Sequence, residues 1–164
     1  MEKRLNAYEA NPEAIAAMGR LEDHVRRCGL ENSLIELVVT RASQINGCAY
    51  CLHMHTSDAR AAGESEARLY LLSAWRESAL YTPREKAALA WTDALTRLAD
   101  SGAPTRDYEQ GLTHFSEREF VDLTLLIGAI NVWNRLSVGF RAVHPNDLKA
   151  GCANPEPTLD GAGV

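Results

Sequence analysis

The sequence predicts an all-helical domain, and three observations point there. Apolar residues recur at three- and four-residue spacing along nearly the whole chain. Alternating runs rich in Val, Ile, Thr and aromatics, the mark of strands, are missing. The 164 residues are 46% apolar and 24% charged, which suits one compact domain that buries roughly 70% of its unfolded surface without a metal or disulfide staple. The expected architecture is about six to eight helices over residues 1–146, followed by a loose tail over 147–164 rich in Gly, Pro, Asn and Asp.

The elements follow from local signals. Pro12 opens a helix that runs to Arg27 or Cys28, with Ile15, Met18, Leu21 and Val25 as its apolar stripe and Gly29 as its stop. Glu22, Asp23, Arg26 and Arg27 fall on its polar face. The next helix starts near Asn32 or Ser33, turns Leu34, Leu37, Val38 and Ala42 toward the core, and ends at the turn-forming pair Asn46-Gly47. A helix then begins at Cys48 and runs to Ala62, with Gly63 as a left-handed cap, and a shorter one spans Ser65 to Trp75. Thr82-Pro83-Arg84-Glu85 combines an N-cap, a first-turn proline and a capping-box glutamate, and so starts a helix that reaches Ala99. Thr105 and Ser116 are the expected caps of two more helices. The second has Glu119 in the capping-box place and a long apolar body from Phe120 to Phe140, which Gly128 and Gly139 weaken or open to a close neighbour.

Charge and hydropathy exclude several classes. The balance of 17 basic and 22 acidic residues gives a net charge of −5, the wrong sign for tracking phosphates or an anionic membrane surface. The longest apolar stretches, such as Leu125 to Ile130, fall far short of the roughly 20 residues of a membrane helix. Met1 to Asn6 has no apolar signal core, so the expected location is the cytoplasm.

Cys48, Cys51 and His55 stand at i, i+3 and i+7, within about a 60° sector of one helix face. Cys48 sits where the helix begins, where unpaired N–H groups and the positive dipole end favour a thiolate. Helix-start C-x-x-C thiols ionise far more readily than a free thiol at pKa about 8.5, and the spacing also lets the two sulfurs join. Half of a zinc site, or simple packing of buried thiols, remains an alternative reading of the same residues. Glu36 likewise reads two ways. The turn at Asn46-Gly47 can return it to the cysteines, while Ser33-Leu34-Ile35-Glu36 is itself a good S-x-x-E capping box.

The spacing Glu36, eleven residues, Cys48-Ala49-Tyr50-Cys51, three residues, His55 resembles the E-x11-C-x-x-C-x3-H motif of the alkylhydroperoxidase D-like proteins of the carboxymuconolactone decarboxylase superfamily. The similarity extends from about Ala16 to Val143 and includes Asp58 to Glu64, Tyr81 to Glu85 and Asn131 to Arg135. It implies an AhpD-like helical fold assembled as a trimer or a trimer of dimers, a cofactor-free hydroperoxide reductase re-reduced by an external dithiol or protein reductant. By position, Cys51 attacks the O–O bond, Cys48 supplies a proton and closes a disulfide, and Glu36 and His55 form the proton relay. Dipole reasoning by contrast favours Cys48, so attack by Cys51 requires His55 or Glu36 as its base. One position departs: the relay histidine that precedes the second cysteine in alkylhydroperoxidase D is Tyr50 here, a phenol with pKa about 10. His53 lies on another face and reads as a packed or surface residue. The lactone decarboxylases that name the superfamily generally lack the cysteine pair, which argues against that reaction here.

Trp75, Trp91 and Trp133 read as core or interface aromatics, and Arg135 as a charge needing a partner. Cys28 and Cys152 are outside the motif. Competing functions are a protein-disulfide or lipoyl-type reductase, and a non-enzymatic redox sensor or metal-binding oligomer.

Overall fold

The computed structural model describes residues 4–146, so the tail expected over 147–164, with Cys152, lies outside the described residues. Among the described residues there are nine α-helices, one 3-10 turn and no strand. They are α1 (Ala7–Ala10), α2 (Pro12–Arg27), α3 (Asn32–Asn46), α4 (Ala49–Ala61), α5 (Glu66–Leu71), α6 (Pro83–Thr96), α7 (Leu98–Ser101), α8 (Thr105–His114) and α9 (Glu117–Gly139), with the 3-10 turn at Leu72–Ala74.

The architecture is organised around α3, which packs against α4, α6 and α9. Every residue from Leu34 to Ser43 is buried. A helix buried on all sides is the interior helix of its domain. Its apolar residues join Val25 of α2, Ala87, Ala88 and Trp91 of α6, and Leu123, Leu126 and Ile127 of α9 in the main core. A smaller cluster on its other flank gathers Leu37, Leu72, Trp75, Tyr81 and Leu89. Each fully buried Leu or Ile contributes about 1.5–3 kcal/mol relative to exposure, so these two clusters set which helices surround α3.

Caps account for most boundaries. Both capping boxes are present: Thr82 and Glu85 at the start of α6, and Ser116 and Glu119 at the start of α9. Backbone and side-chain bonds from Ser116, with Arg84 beside it, hold the Glu119 carboxyl down to about 2. Four expectations need correction. The short α1 was not foreseen; Asn6 caps it, and Asn11 ends it while capping α2. The helix expected to Ala99 stops at Thr96, because Arg97 leaves helical geometry before the separate turn α7. The helix expected over Ser65 to Trp75 gives way to a 3-10 turn after Leu71. Thr105 is the first residue of α8 and not its cap, that place being held by Pro104 without a side-chain bond.

Gly111 and Gly128 both lie inside helices but differ in surroundings. A Cβ at Gly111 would stand 2.3 Å from Cε2 of Phe120. That ring is 5% exposed and is flanked by Trp91, Tyr108 and Phe115, so it has little room to move. At Gly128 a Cβ would meet nothing within 4 Å, so among the described residues no other helix approaches it there. Helix propensity favours Ala over Gly by about 1 kcal/mol, whereas overpacking costs about 1–3 kcal/mol. Gly111→Ala is therefore expected to lower the urea midpoint, and Gly128→Ala to raise it, in equilibrium unfolding of the two variants. A fall for Gly128→Ala would mean that another chain covers that face.

Candidate functional site

The site begins at the joint between α3 and α4. Gly47 takes the left-handed conformation at φ 64°. Its N–H donates to the Gln44 carbonyl at 3.3 Å, and the Cys48 N–H donates to the Ser43 carbonyl at 3.0 Å. This is a Schellman closure, which satisfies the last carbonyls of α3 within two residues. Cys48 is then the N-cap of α4, its Sγ accepting the Cys51 N–H at 3.3 Å. Cys48 and Cys51 are joined as a disulfide across a Cα–Cα separation of 5.4 Å. The helix expected from Cys48 thus begins one residue later, which places Cys48 at its threshold and Cys51 in its first turn.

Glu36, Cys48, Cys51 and His55, the four residues singled out by spacing, come together and are 5%, 1%, 2% and 3% exposed. Glu36 Oε2 faces His55 Nδ1 at 3.4 Å, too long for an aligned hydrogen bond, and neither atom has another partner. The other carboxylate oxygen, Oε1, accepts from Arg26 Nη1 of α2. Burial alone would raise the Glu36 carboxyl, but His55 and Arg26 outweigh it and hold the group below the usual carboxylate range. Burial would likewise lower Arg26, and Glu22 and Glu36 together overcome it and push the guanidinium upward. The capping-box reading of Glu36 is overturned. The N-cap of α3 is Glu31, which makes no side-chain cap bond, and Ser33 is already inside the helix. A buried carboxylate next to a guanidinium has a stronger partner than an exposed backbone N–H.

Sequence places Arg26 and Glu22 on the polar face of α2, and the structure turns that part of the face inward. Arg26 Nε donates to Glu22 Oε1 at 2.8 Å, and Trp133 Nε1 donates to Glu22 Oε2 at 3.3 Å. A cavity of about 170 Å³ opens against Cys51 and His55, walled by Glu22, Tyr50, Met54 and Trp133; Cys48 is not among its lining residues. A larger cavity of about 290 Å³ adjoins it, sharing Tyr8, Tyr50, Trp133 and Ser137 as walls. Residues of α1 and the segment from Phe140 to Val143 roof this outer chamber. The chain ahead of α1 is clasped to the end of α9 where the Arg4 N–H donates to the Phe140 carbonyl at 3.2 Å and its guanidinium to the Gly139 carbonyl at 3.0 Å.

The remaining candidates sort simply. Trp75 and Trp91 are core residues, while Trp133 is a cavity wall. His53 stacks on His144 with ring centroids 3.9 Å apart, away from the Cys51 cavity. Arg135 donates to the carbonyl and side-chain oxygens of Asn131. Cys28 is a free thiol whose Sγ donates to the Val25 carbonyl. Among the described residues no three or more His, Cys, Asp and Glu side chains are placed to hold a metal ion, so the zinc reading finds no completed ligand set there.

A helical frame that buries a C-x-x-C pair beside a Glu–His couple defines an AhpD-like protein. The model of the carboxymuconolactone decarboxylase family matches residues 12–94. The chain is 41% identical to the uncharacterized protein YdfG of Bacillus subtilis (strain 168) over 138 residues, covering 84% of this chain and 94% of YdfG. The structure of ATU0492 from Agrobacterium tumefaciens, a protein of unknown function described as a candidate antioxidant defence protein AhpD, superposes with a TM-score of 0.85 at 49% identity, covering 88% and 99% of the two chains. The debrominase Bmp8 shares the fold with a TM-score of 0.77 at 18% identity, covering 87% of this chain and 76% of its own. The chain belongs to the carboxymuconolactone decarboxylase family, in its AhpD-like branch.

Two outcomes follow from the place of Glu36. Ser33→Ala is expected to change stability by less than about 0.5 kcal/mol, whereas Ser116→Ala, which removes a real cap, costs about 1 kcal/mol in the same urea titration. The folded-state pKa of Glu36 lies below its unfolded value of about 4.3, so its pairing stabilises fully above that pH and is lost as pH falls through the folded value. Unfolding measured across this acid window is expected to show a shallower dependence on pH for Glu36→Gln than for the parent chain.

Proposed function

We propose that the protein is a thiol peroxidase in which Cys51 reduces an organic hydroperoxide and Cys48 resolves the product. The observation that carries this reading is that Cys51 and His55 line one cavity with Glu36 directly behind the His55 ring. In the reduced protein, the Cys51 thiolate attacks the distal oxygen of ROOH. The O–O bond breaks, an S–O bond forms, and the sulfur gives up two electrons. The alkoxide takes a proton and leaves as ROH, and Cys51 becomes a sulfenic acid. The Cys48 thiol then attacks that sulfur, forming the S–S bond and releasing water. An external dithiol restores the two thiols by exchange, its own sulfurs becoming the oxidised pair.

His55 is the base that receives the Cys51 proton and returns it to the leaving alkoxide. Glu36 faces Nδ1, so Nε2 is the ring nitrogen left for that exchange. The cavity supports Cys51 over Cys48 as the attacking thiol. Cys48 has the better helix-cap position, but Cys51 has both the open wall and the base. Tyr50 forms part of the cavity wall, at the position where the resemblance leads one to expect a relay histidine. The reading extends to a cytoplasmic homo-oligomer of trimeric or hexameric form. Support for assembly comes from the outer face of α9, where Val121, Leu125 and Val132 are 59%, 40% and 39% exposed.

Adding one equivalent of cumene hydroperoxide to the reduced chain is expected to consume two thiols and yield the Cys48–Cys51 disulfide, identified by peptide mass analysis. Cys51→Ser abolishes the reaction, and His55→Gln slows it by about 100-fold or more while leaving the fold intact. Thiols that stay inert to the hydroperoxide but exchange with an oxidised dithiol would replace this reading with disulfide reduction.

A further inference from the structure

We infer that Arg26 is a positioning residue of the site, holding Glu36 ionised and oriented so that His55 keeps its Nδ1 proton and offers Nε2 as the base. This inference rests on the proposed role of His55.

The geometry separates the two oxygens of Glu36. Arg26 Nη1 takes Oε1, and Oε2 is left facing His55 Nδ1. An ionised carboxylate is only an acceptor, so Oε2 can approach Nδ1 favourably only when Nδ1 carries a hydrogen. The neutral imidazole then has its lone pair on Nε2. A protonated Glu36 could instead donate to Nδ1 and reverse the tautomer. Arg26 opposes that protonation directly, because an adjacent guanidinium favours the charged form of a buried acid.

Arg26 is itself fixed from the other side. Glu22 accepts its Nε–H through Oε1 and the Trp133 indole N–H through Oε2. Glu22 and Trp133 are walls of the cavity that Cys51 and His55 line. The chain Trp133, Glu22, Arg26, Glu36, His55 therefore leaves the cavity wall, passes behind it and returns to it. An isolated Glu22–Arg26 pair four residues apart would contribute little to its helix. Helix stability gives Arg26 no reason to reach across to α3. The groups that act on Glu36 are Arg26 from α2 and His55 from α4, with Glu22 behind Arg26. Among the described residues α6 and α9, which also pack on α3, bring no charged group to Glu36.

The test compares the full-length reduced chain with Arg26→Gln and Arg26→Lys. Two readouts are used, and neither depends on peroxide: titration of the Glu36 carboxyl by carbon NMR, and the pH dependence of Cys51 alkylation by iodoacetamide, with fragment-ion masses separating Cys51 from Cys48 on the same peptide and from Cys28 and Cys152. Arg26→Gln is expected to raise the Glu36 midpoint by at least about one pH unit and to move the acid limb of alkylation the same way. Arg26→Lys keeps the charge but not the planar two-point grip, so its midpoint falls between the other two. It also serves if the Gln variant does not fold. A Glu36 midpoint unmoved in every variant that folds would overturn the assignment, as would a raised midpoint with an unchanged alkylation profile. A chain inert to hydroperoxide that still shows both shifts would remove the peroxidase reading and leave Arg26 in its role.

Discussion

The structure depends on how one fully enclosed helix carries charge. Between Leu34 and Ser43, α3 is buried at every position, yet it includes Glu36 and Arg41. An unpaired charge at such a place would cost several kcal/mol, comparable to a large part of the net stability of a domain. Counter-groups therefore arrive from three other helices. Arg26 arrives from α2, His55 from α4, and Asp93 from α6, the last accepting from Arg41 Nε at 2.6 Å and Nη2 at 3.2 Å. The Trp75 indole N–H also donates to Asp93, drawing the 3-10 segment onto the same point. Apolar burial drives the helices together, and these pairs select the rotation and height at which they meet.

The two pairs on α3 have different completeness. Arg41 is gripped by both oxygens of Asp93 and also reaches Gln44. Glu36 is gripped on one side and loosely faced on the other, where Oε2 and His55 Nδ1 lack aligned partners. Buried polar atoms left partly unsatisfied concentrate where a protein has work for them. The cysteine end of α3 is secured differently, by neutral groups. Asn46 donates to both Asn131 and Asn134, and Asn134 donates to Ser43, whose own carbonyl receives the Cys48 N–H. The joint that presents the thiols is thus moored to α9 by amides. The Glu36 side is instead set by charge.

Much of this was legible in the sequence, and the gaps have physical causes. Helix positions followed from caps because Thr82-Pro83, Ser116 and Asn46-Gly47 act locally, within a turn of themselves. The grouping of Cys48, Cys51 and His55 followed from one helix's periodicity. Glu36 was ambiguous because S-x-x-E satisfies a local rule, and only the tertiary approach of Arg26 shows which partner wins. Arg26 and Glu22 were missed as site residues since an acid and a base four apart on a polar helix face look like an ordinary surface pair. The number of contacts a long side chain makes across to another helix is not encoded in its own helix's pattern. Trp133 fits equally well in a core or a cavity wall by periodicity alone, and its indole hydrogen bond to Glu22 is a property of packing.

The two-residue joint at Gly47 and Cys48 makes the separation between carboxylate and thiol a matter of helical phase. Glu36 is carried on α3, His55 and Cys51 on α4, and nothing flexible lies between the two helices to absorb a change in count. One residue added or removed between Glu36 and Gly47 would turn the carboxylate by about 100° and shift it by about 1.5 Å along the axis, away from His55. Compensation by a longer loop is not open to a chain whose Schellman closure already uses the Cys48 N–H. Side chains in this stretch can be exchanged within limits of volume, but its length works like a gear ratio. The invariant that divergent copies of such a scaffold must preserve is a residue count, held by backbone geometry before any chemistry is selected.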